Sequence, residues 1–320
     1  MSMRNEEALQ RILEKLRREA GPKVMAALND PSVVEVLLNP DRNLWIERLG
    51  GNMQCEGIFE RTAAENLVAT VASYHSLIAN RENPVLECEF PLDGSRFEAI
   101  LPPVVESPAF SIRKRALRTH TLQDYVSDGI MAQSQADCIR AAIAERLNVL
   151  VVGGTGTGKT TLGNALIDTM VDVSPDHRIV IIEDTREIQC RAKNSVQMKS
   201  SESKSMNQLL RATLRLRPDR IIVGEVRGGE ALSLLKAWNT GHPGGIATLH
   251  ANSARAGLIR LEQLIAEAVS DAGNRQMSAL IAEAVNLIVV ISKVSGSRKI
   301  TEIAQVKGFD GAKYLLEERY

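Results

Sequence analysis

Residues 153–160 read Gly-Gly-Thr-Gly-Thr-Gly-Lys-Thr, the spacing GxxxxGK[ST]. Residue types in this order hold a polyphosphate. Glycines let consecutive backbone N–H groups turn inward around a phosphate, and a helix starting at the loop's end adds the positive end of its dipole. The expected phosphate-holding set is Gly153, Gly154, Thr155, Gly156, Thr157, Gly158, Lys159, Thr160 and Thr161. Lys159 would neutralise charge on the β- and γ-phosphates, and the Thr160 hydroxyl would sit on Mg²⁺. The apolar run Val149–Val152 feeds the loop, and Leu162, Ala165 and Leu166 follow it at helical spacing. That is the strand–loop–helix setting the motif needs. The substrate read from this segment is a nucleoside triphosphate with Mg²⁺. What the released energy drives is not written there.

Two further apolar runs end in acids. Ile179–Ile182 runs into Glu183-Asp184-Thr-Arg-Glu187, and Ile221–Gly224 into Glu225. In a parallel sheet the reactive groups gather at the C-terminal ends of the strands. A carboxylate at that edge can hold Mg²⁺ through water or orient the attacking water. Glu183 and Glu225 are therefore candidate catalytic groups, with Glu225 also a candidate metal contact beside Thr160. Which of the two is the base stays open, since a segment like 221–225 usually ends in Asp. His250 closes a fourth run, Ile246–Leu249, and can sense a γ-phosphate by donating one N–H. His242, in the Gly/Pro-rich stretch before it, is a weaker candidate. Cationic candidates for completing the site are Arg211 and Arg215, spaced i, i+4, with Arg217 behind them, and Arg113, Lys114 and Arg115 far upstream. An arginine donated across a subunit boundary is worth on the order of 10³–10⁵ in rate.

These residues need a scaffold. The runs 149–152, 179–182, 221–223 and 246–249 alternate with helical stretches, which predicts βαβ crossovers and a sheet covered on both faces. The stretch 258–285 reads as helical, followed by 286–294, a turn at Ser295–Arg298, and 299–307. Upstream, Leu9, Ile12, Leu13, Leu16 and Ala20 predict an amphipathic helix that Gly21-Pro22 stops. Turns at 39–41 and 49–52, strand-like runs at 43–47, 96–101 and 110–113, and a helix over 63–78 predict a small α+β domain. The cation-rich segment Arg113–Arg118 falls where the pattern changes. The expected division is an N-terminal domain over 1–112, a linker over 113–132 and an α/β nucleotide-binding domain over 133–320.

Composition narrows the classes. Lys+Arg and Asp+Glu both number 39, so the formal charge is zero, which argues against a protein that coats nucleic acid over its whole surface but leaves room for a local basic patch. Aromatics are 3% and none interleaves the basic cluster, so a stacking platform for single strands is poorly supported. Cys55, Cys88, Cys138 and Cys190 are too far apart for a CxxC site. The longest apolar runs, such as Leu287–Ile291, fall far short of the ~20 residues a membrane span needs. The expectation is a soluble protein of a reducing compartment.

Four segments taken together resemble the secretion (traffic) ATPases, the GSP E family. They are Gly153–Thr160, Glu183–Glu187, Arg217-Pro-Asp-Arg-Ile-Ile-Val-Gly-Glu225-Val-Arg and Thr240-Gly-His-Pro-Gly…Thr248-Leu-His250-Ala. That family carries a Walker A, an Asp box, a Walker B and a His box in this order. Leu101-Pro-Pro and Ser111-Ile-Arg-Lys114 are similar to the N-terminal domain of its type IV secretion members. Asn39-Pro-Asp…Leu44-Trp-Ile-Glu-Arg-Leu49 is similar to the plasmid conjugal-transfer branch. The resemblance implies a RecA-like P-loop core behind a smaller N-terminal α+β domain. It also implies Mg-ATP hydrolysis and a hexameric ring with nucleotide clamped between the two domains. Arg113, with Arg96 as second choice, is implied to reach the phosphates. The implied setting is the cytoplasm or the inner face of the inner membrane, beside the inner-membrane components of a type IV conjugation apparatus. Two other readings stand beside it: a RecA-like motor acting directly on DNA, and a nucleotide-gated assembly scaffold with little turnover.

Overall fold

The computed structural model describes residues 3–49, 51–114, 120–201, 203–268 and 274–320. The chain divides into two compact units, Met1–Leu117 and Arg118–Tyr320.

The first unit runs α1 (Met3–Asn29), β1 (Val33–Leu38), β2 (Asn43–Arg48), β3 (Gln54–Ile58), α2 (Arg61–Tyr74), β4 (Val85–Glu89), β5 (Arg96–Ile100) and β6 (Ala109–Arg113). Among the described residues its strands form one six-stranded sheet in the order β3-β2-β1-β6-β5-β4, every neighbouring pair antiparallel. Side chains alternate across it. Val36, Leu38, Leu44, Ile46, Phe97, Ala99, Phe110 and Ile112 point to one face and pack with Leu16, Ala20 and Val24 of α1 and Leu67, Val68 and Val71 of α2. The stop expected at Gly21-Pro22 is a kink instead. Gly21 leaves helical geometry at φ 70° and the chain resumes as helix to Asn29, because proline is well suited to the first turn of the new segment.

The second unit runs α3 (Leu122–Ser127), α4 (Gln133–Ala144), β7 (Val149–Gly153), α5 (Lys159–Val173), β8 (Ile179–Glu183), β9 (Ser195–Lys199), α6 (Met206–Thr213), β10 (Arg220–Val223), α7 (Glu230–Asn239), β11 (Ile246–His250), α8 (Ala254–Ala268), α9 (Asn274–Ala284), β12 (Leu287–Val294), β13 (Ser297–Phe309) and β14 (Tyr314–Glu318). Among the described residues the sheet order is β14-β13-β12-β7-β11-β10-β8-β9. The strands from β12 to β9 are parallel, and β13 and β14 close the other edge antiparallel. Alternation again decides the layers. Leu150, Val152, Ile221, Val223, Ala247 and Leu249 share a core with α6 to α9. Val149, Val151, Ile179, Ile181, Ile222 and Ile246 share one with α3, α4 and α5. Burial on both faces is why these strands read as continuous apolar runs. No described helix is long and apolar enough to cross a membrane.

The expected linker over 113–132 needs correction. Arg113 ends β6, and Leu122, Tyr125 and Met131 are buried in the core of the second unit. Cation density misplaced the segment because Leu122 and Tyr125 anchor only a short helix, too brief to show a period. Arg115, Arg118 and Gly50 lie outside the described residues. The helical stretch expected over 258–285 is two helices, α8 and α9, and residues 269–273 between them also lie outside.

The sheet edge away from the phosphate loop is held by a buried arginine. Arg220 is 0% exposed and donates to Gly244 O (3.0 Å), Ile143 O (3.1 Å), Ser174 Oγ (3.3 Å) and His177 Nδ1 (3.1 Å). Burial, with the charge of Arg146 second, pulls its pKa down to about 10. Gly244 sits at φ +84°, and a Cβ there would lie 2.0 Å from Arg220 Nη1. Gly244→Ala combines left-handed strain with displacement of a buried cation from its acceptors, so a loss of ~3 kcal/mol in stability is expected. The urea midpoint of the purified variant measures it, and an unchanged midpoint would contradict the account.

Candidate nucleotide site

The strand order places four C-terminal strand ends side by side. Gly153 is the register partner of His250, Ala247 that of Val223, and Val223 that of Ile182. The phosphate loop, His250, Glu225 and Glu183 therefore line one edge of the sheet, as expected from the sequence.

In the loop, Gly156 and Gly158 take φ 69° and 98°, and Gly158 is the residue that precedes α5. Thr157 Oγ1 donates to Gly154 O at 2.9 Å, which closes the turn. Thr155 and Gly156 are exposed, and Thr160 and Thr161 are half-buried in the first turn of α5. Lys159 is buried. Its Nζ donates to Gly154 O at 2.9 Å and lies 3.2 Å from His250 Nδ1. His250 Nε2 lies 2.8 Å from Glu225 Oε1. A neutral imidazole with its proton on Nε2 satisfies both contacts: Nδ1 accepts from the lysine and Nε2 donates to the carboxylate.

Glu183 is 2% exposed. Its Oε1 accepts from the backbone N–H groups of Glu187 (2.9 Å) and Ile188 (2.7 Å), which folds the loop after β8 around the carboxylate. It lies against Gly224, where a built Cβ would meet its Cγ at 3.0 Å. Glu183 is thus adjacent to the Glu225 strand end and shapes the loop as well as carrying charge.

Two contributors were not picked out from the sequence. Arg227 donates from Nε to Glu225 Oε2 at 2.6 Å and also pairs with Asp184. Burial pulls its pKa down, but Asp184 and Glu225 outweigh that and leave it raised. Asn164, buried in α5, accepts from Gln189 N at 3.0 Å and donates to Glu187 O at 3.3 Å. It bolts the helix behind the phosphate loop to the loop carrying the acids. A polar residue between Gly163 and the apolar Ala165-Leu166 was the available signal.

The other candidates are dispersed. His242 hydrogen-bonds Pro218 O at 3.2 Å and precedes β11, at the opposite end of the strand from His250. Arg211 is in α6 but Arg215 lies beyond its end, so they do not form one helix face; both, with Arg217, are exposed. Arg113 is in the first unit. It is the register partner of Glu35 and of Arg96, on the sheet face opposite the buried Phe97, Phe110 and Ile112. Arg96 and Arg113 are therefore neighbours. Lys114 donates to Ala27 O and Asp30 O, a structural task, and burial lowers its pKa.

A parallel sheet carrying a GxxxxGKT loop, with acids and a histidine on the next strand ends, defines a P-loop ATPase. Comparison with known proteins narrows the class. The family described as "Type II/IV secretion system protein" matches residues 18–308. The conjugal transfer protein TrbB of Rhizobium radiobacter is 48% identical over 307 residues, covering 96% of this chain and 94% of TrbB. The crystal structure of the VirB11 ATPase from the Brucella suis type IV secretion system, in complex with sulphate, has a TM-score of 0.51 at 25% identity and covers 93% of this chain and 96% of that one. The Legionella pneumophila ATPase DotB has a TM-score of 0.64 at 19% identity, covering 89% and 79%, and shows a shared fold. The chain belongs to the type II/IV secretion system protein family and is a type IV secretion ATPase.

Proposed function

We propose that this ATPase is the Mg-ATP-hydrolysing motor of a conjugative type IV secretion system, powering assembly of the apparatus or passage of substrate during plasmid transfer. The observation that carries the reading is the contact series Gly154–Lys159–His250–Glu225 at one sheet edge. Its relative TrbB is named for conjugal transfer.

In this reading Gly153–Thr161 hold the phosphates. Lys159 leaves Gly154 O and His250 to reach the β/γ end. His250 then loses the lysine at Nδ1, so what it is bonded to reports whether γ-phosphate is present. Oxygen donors suit a hard cation: the Thr160 hydroxyl and, through water, Glu225 would hold Mg²⁺. Bound there, Mg²⁺ would screen charge on the β- and γ-phosphates. Among the described residues no three His, Cys, Asp or Glu side chains form a metal cage, which matches a cation held largely by the nucleotide. Glu183, fixed by the backbone of 187 and 188, orients the attacking water. Arg113, with Arg96 beside it, supplies positive charge from the N-terminal domain. The working form is a closed ring of six copies in the cytoplasm, docked on inner-membrane components of the apparatus.

Phosphate release from Mg-ATP, measured with and without single-stranded DNA, tests the motor reading. Turnover independent of DNA supports it. Stimulation by DNA with a steep salt dependence would favour a motor acting on DNA directly, and negligible turnover would favour a scaffold. The ring has its own test. Specific activity should rise with protein concentration in the dilute range, and Lys159→Ala subunits mixed into the parent should depress activity more than in proportion to their fraction. A monomer by sedimentation with ATP present, with activity independent of dilution, would refute the ring.

A further inference from the structure

The hairpin of β12 and β13 carries charge that the reading above leaves without a task. Residues 292–299 read Ser-Lys-Val-Ser-Gly-Ser-Arg-Lys, with three cations and no acid. β12 pairs with β7 in parallel, Val290 opposite Val152, on the flank of β7 away from β11. The hairpin tip thus rises beside the phosphate loop. Lys293 and Arg298 are register partners across the hairpin, so their side chains leave the same face. Both reach the loop. A Cβ built on Gly156 would lie 3.7 Å from Lys293 Nζ, and one built on Gly158 would lie 3.4 Å from Arg298 Nε. Both residues are exposed. Lys299, by contrast, is engaged with Gly129 O.

Lys159, Lys293 and Arg298 place three positive charges around one loop at the positive end of α5. Like charges so close repel one another, and a polyanion in the loop turns that repulsion into attraction. The direction of the polyanion follows from the sheet. His250 and Glu225 lie on the β11–β10 side, so the terminal phosphate points there. The remainder of the nucleotide must leave over the opposite flank, which β12 and β13 border.

We propose that Lys293 and Arg298 are nucleotide-binding residues that grip the nucleoside-proximal phosphates, making the hairpin the second wall of the site. The proposal rests on the assignment of the phosphate loop as the ATP site. It differs from that assignment in predicting equal effects on di- and triphosphates, because the α- and β-phosphates are common to both.

Calorimetric titration of the full chain with ADP and with the non-hydrolysable AMP-PNP tests it. Arg298→Ala should raise Kd for both ligands by the same factor, about tenfold, as expected for loss of one charge-assisted contact. Arg298→Lys should recover part of the loss. Lys293→Ala should cost about threefold and the double variant about thirtyfold. Both side chains are exposed, so nucleotide-free unfolding temperatures should match the parent, which excludes misfolding as the cause. Lys159→Ala serves as the reference. If it weakens binding while Arg298→Ala and the double variant do not, the hairpin assignment is overturned and the phosphate-loop assignment stands. A loss confined to AMP-PNP would also overturn it, by placing the cations at the γ-phosphate. If Lys159→Ala binds as tightly as the parent, the phosphate-loop assignment itself fails and the hairpin proposal with it.

Discussion

Lys159→Ala is expected to reduce ATP hydrolysis by at least ~10³-fold and to weaken nucleotide binding by about one to two orders of magnitude. The ammonium group is buried, with its hydrogen bonds going to Gly154 O and toward His250. It is held inside the turn formed by residues 153–158, where water cannot replace it as a partner for phosphate. Truncation to alanine leaves phosphate charge uncompensated at a desolvated point. The loss should be larger in turnover than in binding, because charge on the bridging and terminal oxygens grows in the transition state. Phosphate release and calorimetric titration measure the two separately. A variant that hydrolyses ATP at near the parent rate would show that the loop is not the catalytic phosphate site.

Glu225→Gln should behave differently, keeping ATP affinity within about threefold and lowering turnover by ~10²–10³-fold. Both carboxylate oxygens accept in the present arrangement, one from His250 Nε2 and the other from Arg227. An amide presents N–H₂ to one of these donors, so one contact becomes donor against donor. Arg227 keeps Asp184 as its partner, and the phosphate loop itself is untouched. Binding should therefore survive while alignment of metal and water is lost. Glu183→Gln should give the same pattern, since a glutamine oxygen can still accept from the backbone of Glu187 and Ile188. Single-turnover rates beside Kd values decide the matter. Equal loss of binding and rate in both variants would indicate a folding defect and sink the catalytic assignment.

The parts of this site that could be read from the sequence are those whose chemistry is local. Gly153–Thr160 specify a backbone path, because glycines at 156 and 158 permit the positive φ angles found there. The path is independent of the rest of the chain once a strand precedes it and a helix follows. The acids were legible for a related reason. Glu183 and Glu225 each follow a run of residues buried on both faces, and such runs mark strands whose ends must gather at one edge. The six-stranded sheet of the first unit was only partly legible. β1, at its centre, reads Val-Val-Glu-Val-Leu-Leu with a single interrupting acid, a pattern short enough to belong to either a strand or a helix.

The sequence by itself thus determined a polyphosphate loop, two acids and a histidine at strand ends, and the α/β class of the domain that carries them. Only the tertiary structure decided which side chains meet. Lys159 and His250 are 91 residues apart and become neighbours because β11 is inserted between β7 and β10, an order the chain does not follow. Arg227 and Asp184, 43 residues apart, meet for the same reason across β10 and β8. Arg220 is buried because the sheet brings its guanidinium to the carbonyls of Gly244 and Ile143, 24 and 77 residues away. The cations of the β12–β13 hairpin, most distant in sequence, stand beside the loop because β12 returns to pair with β7. Motifs encode dihedral angles and burial periods, which are properties of consecutive residues. Strand order is settled by packing of whole elements, and the contacts that tune a site depend on that order.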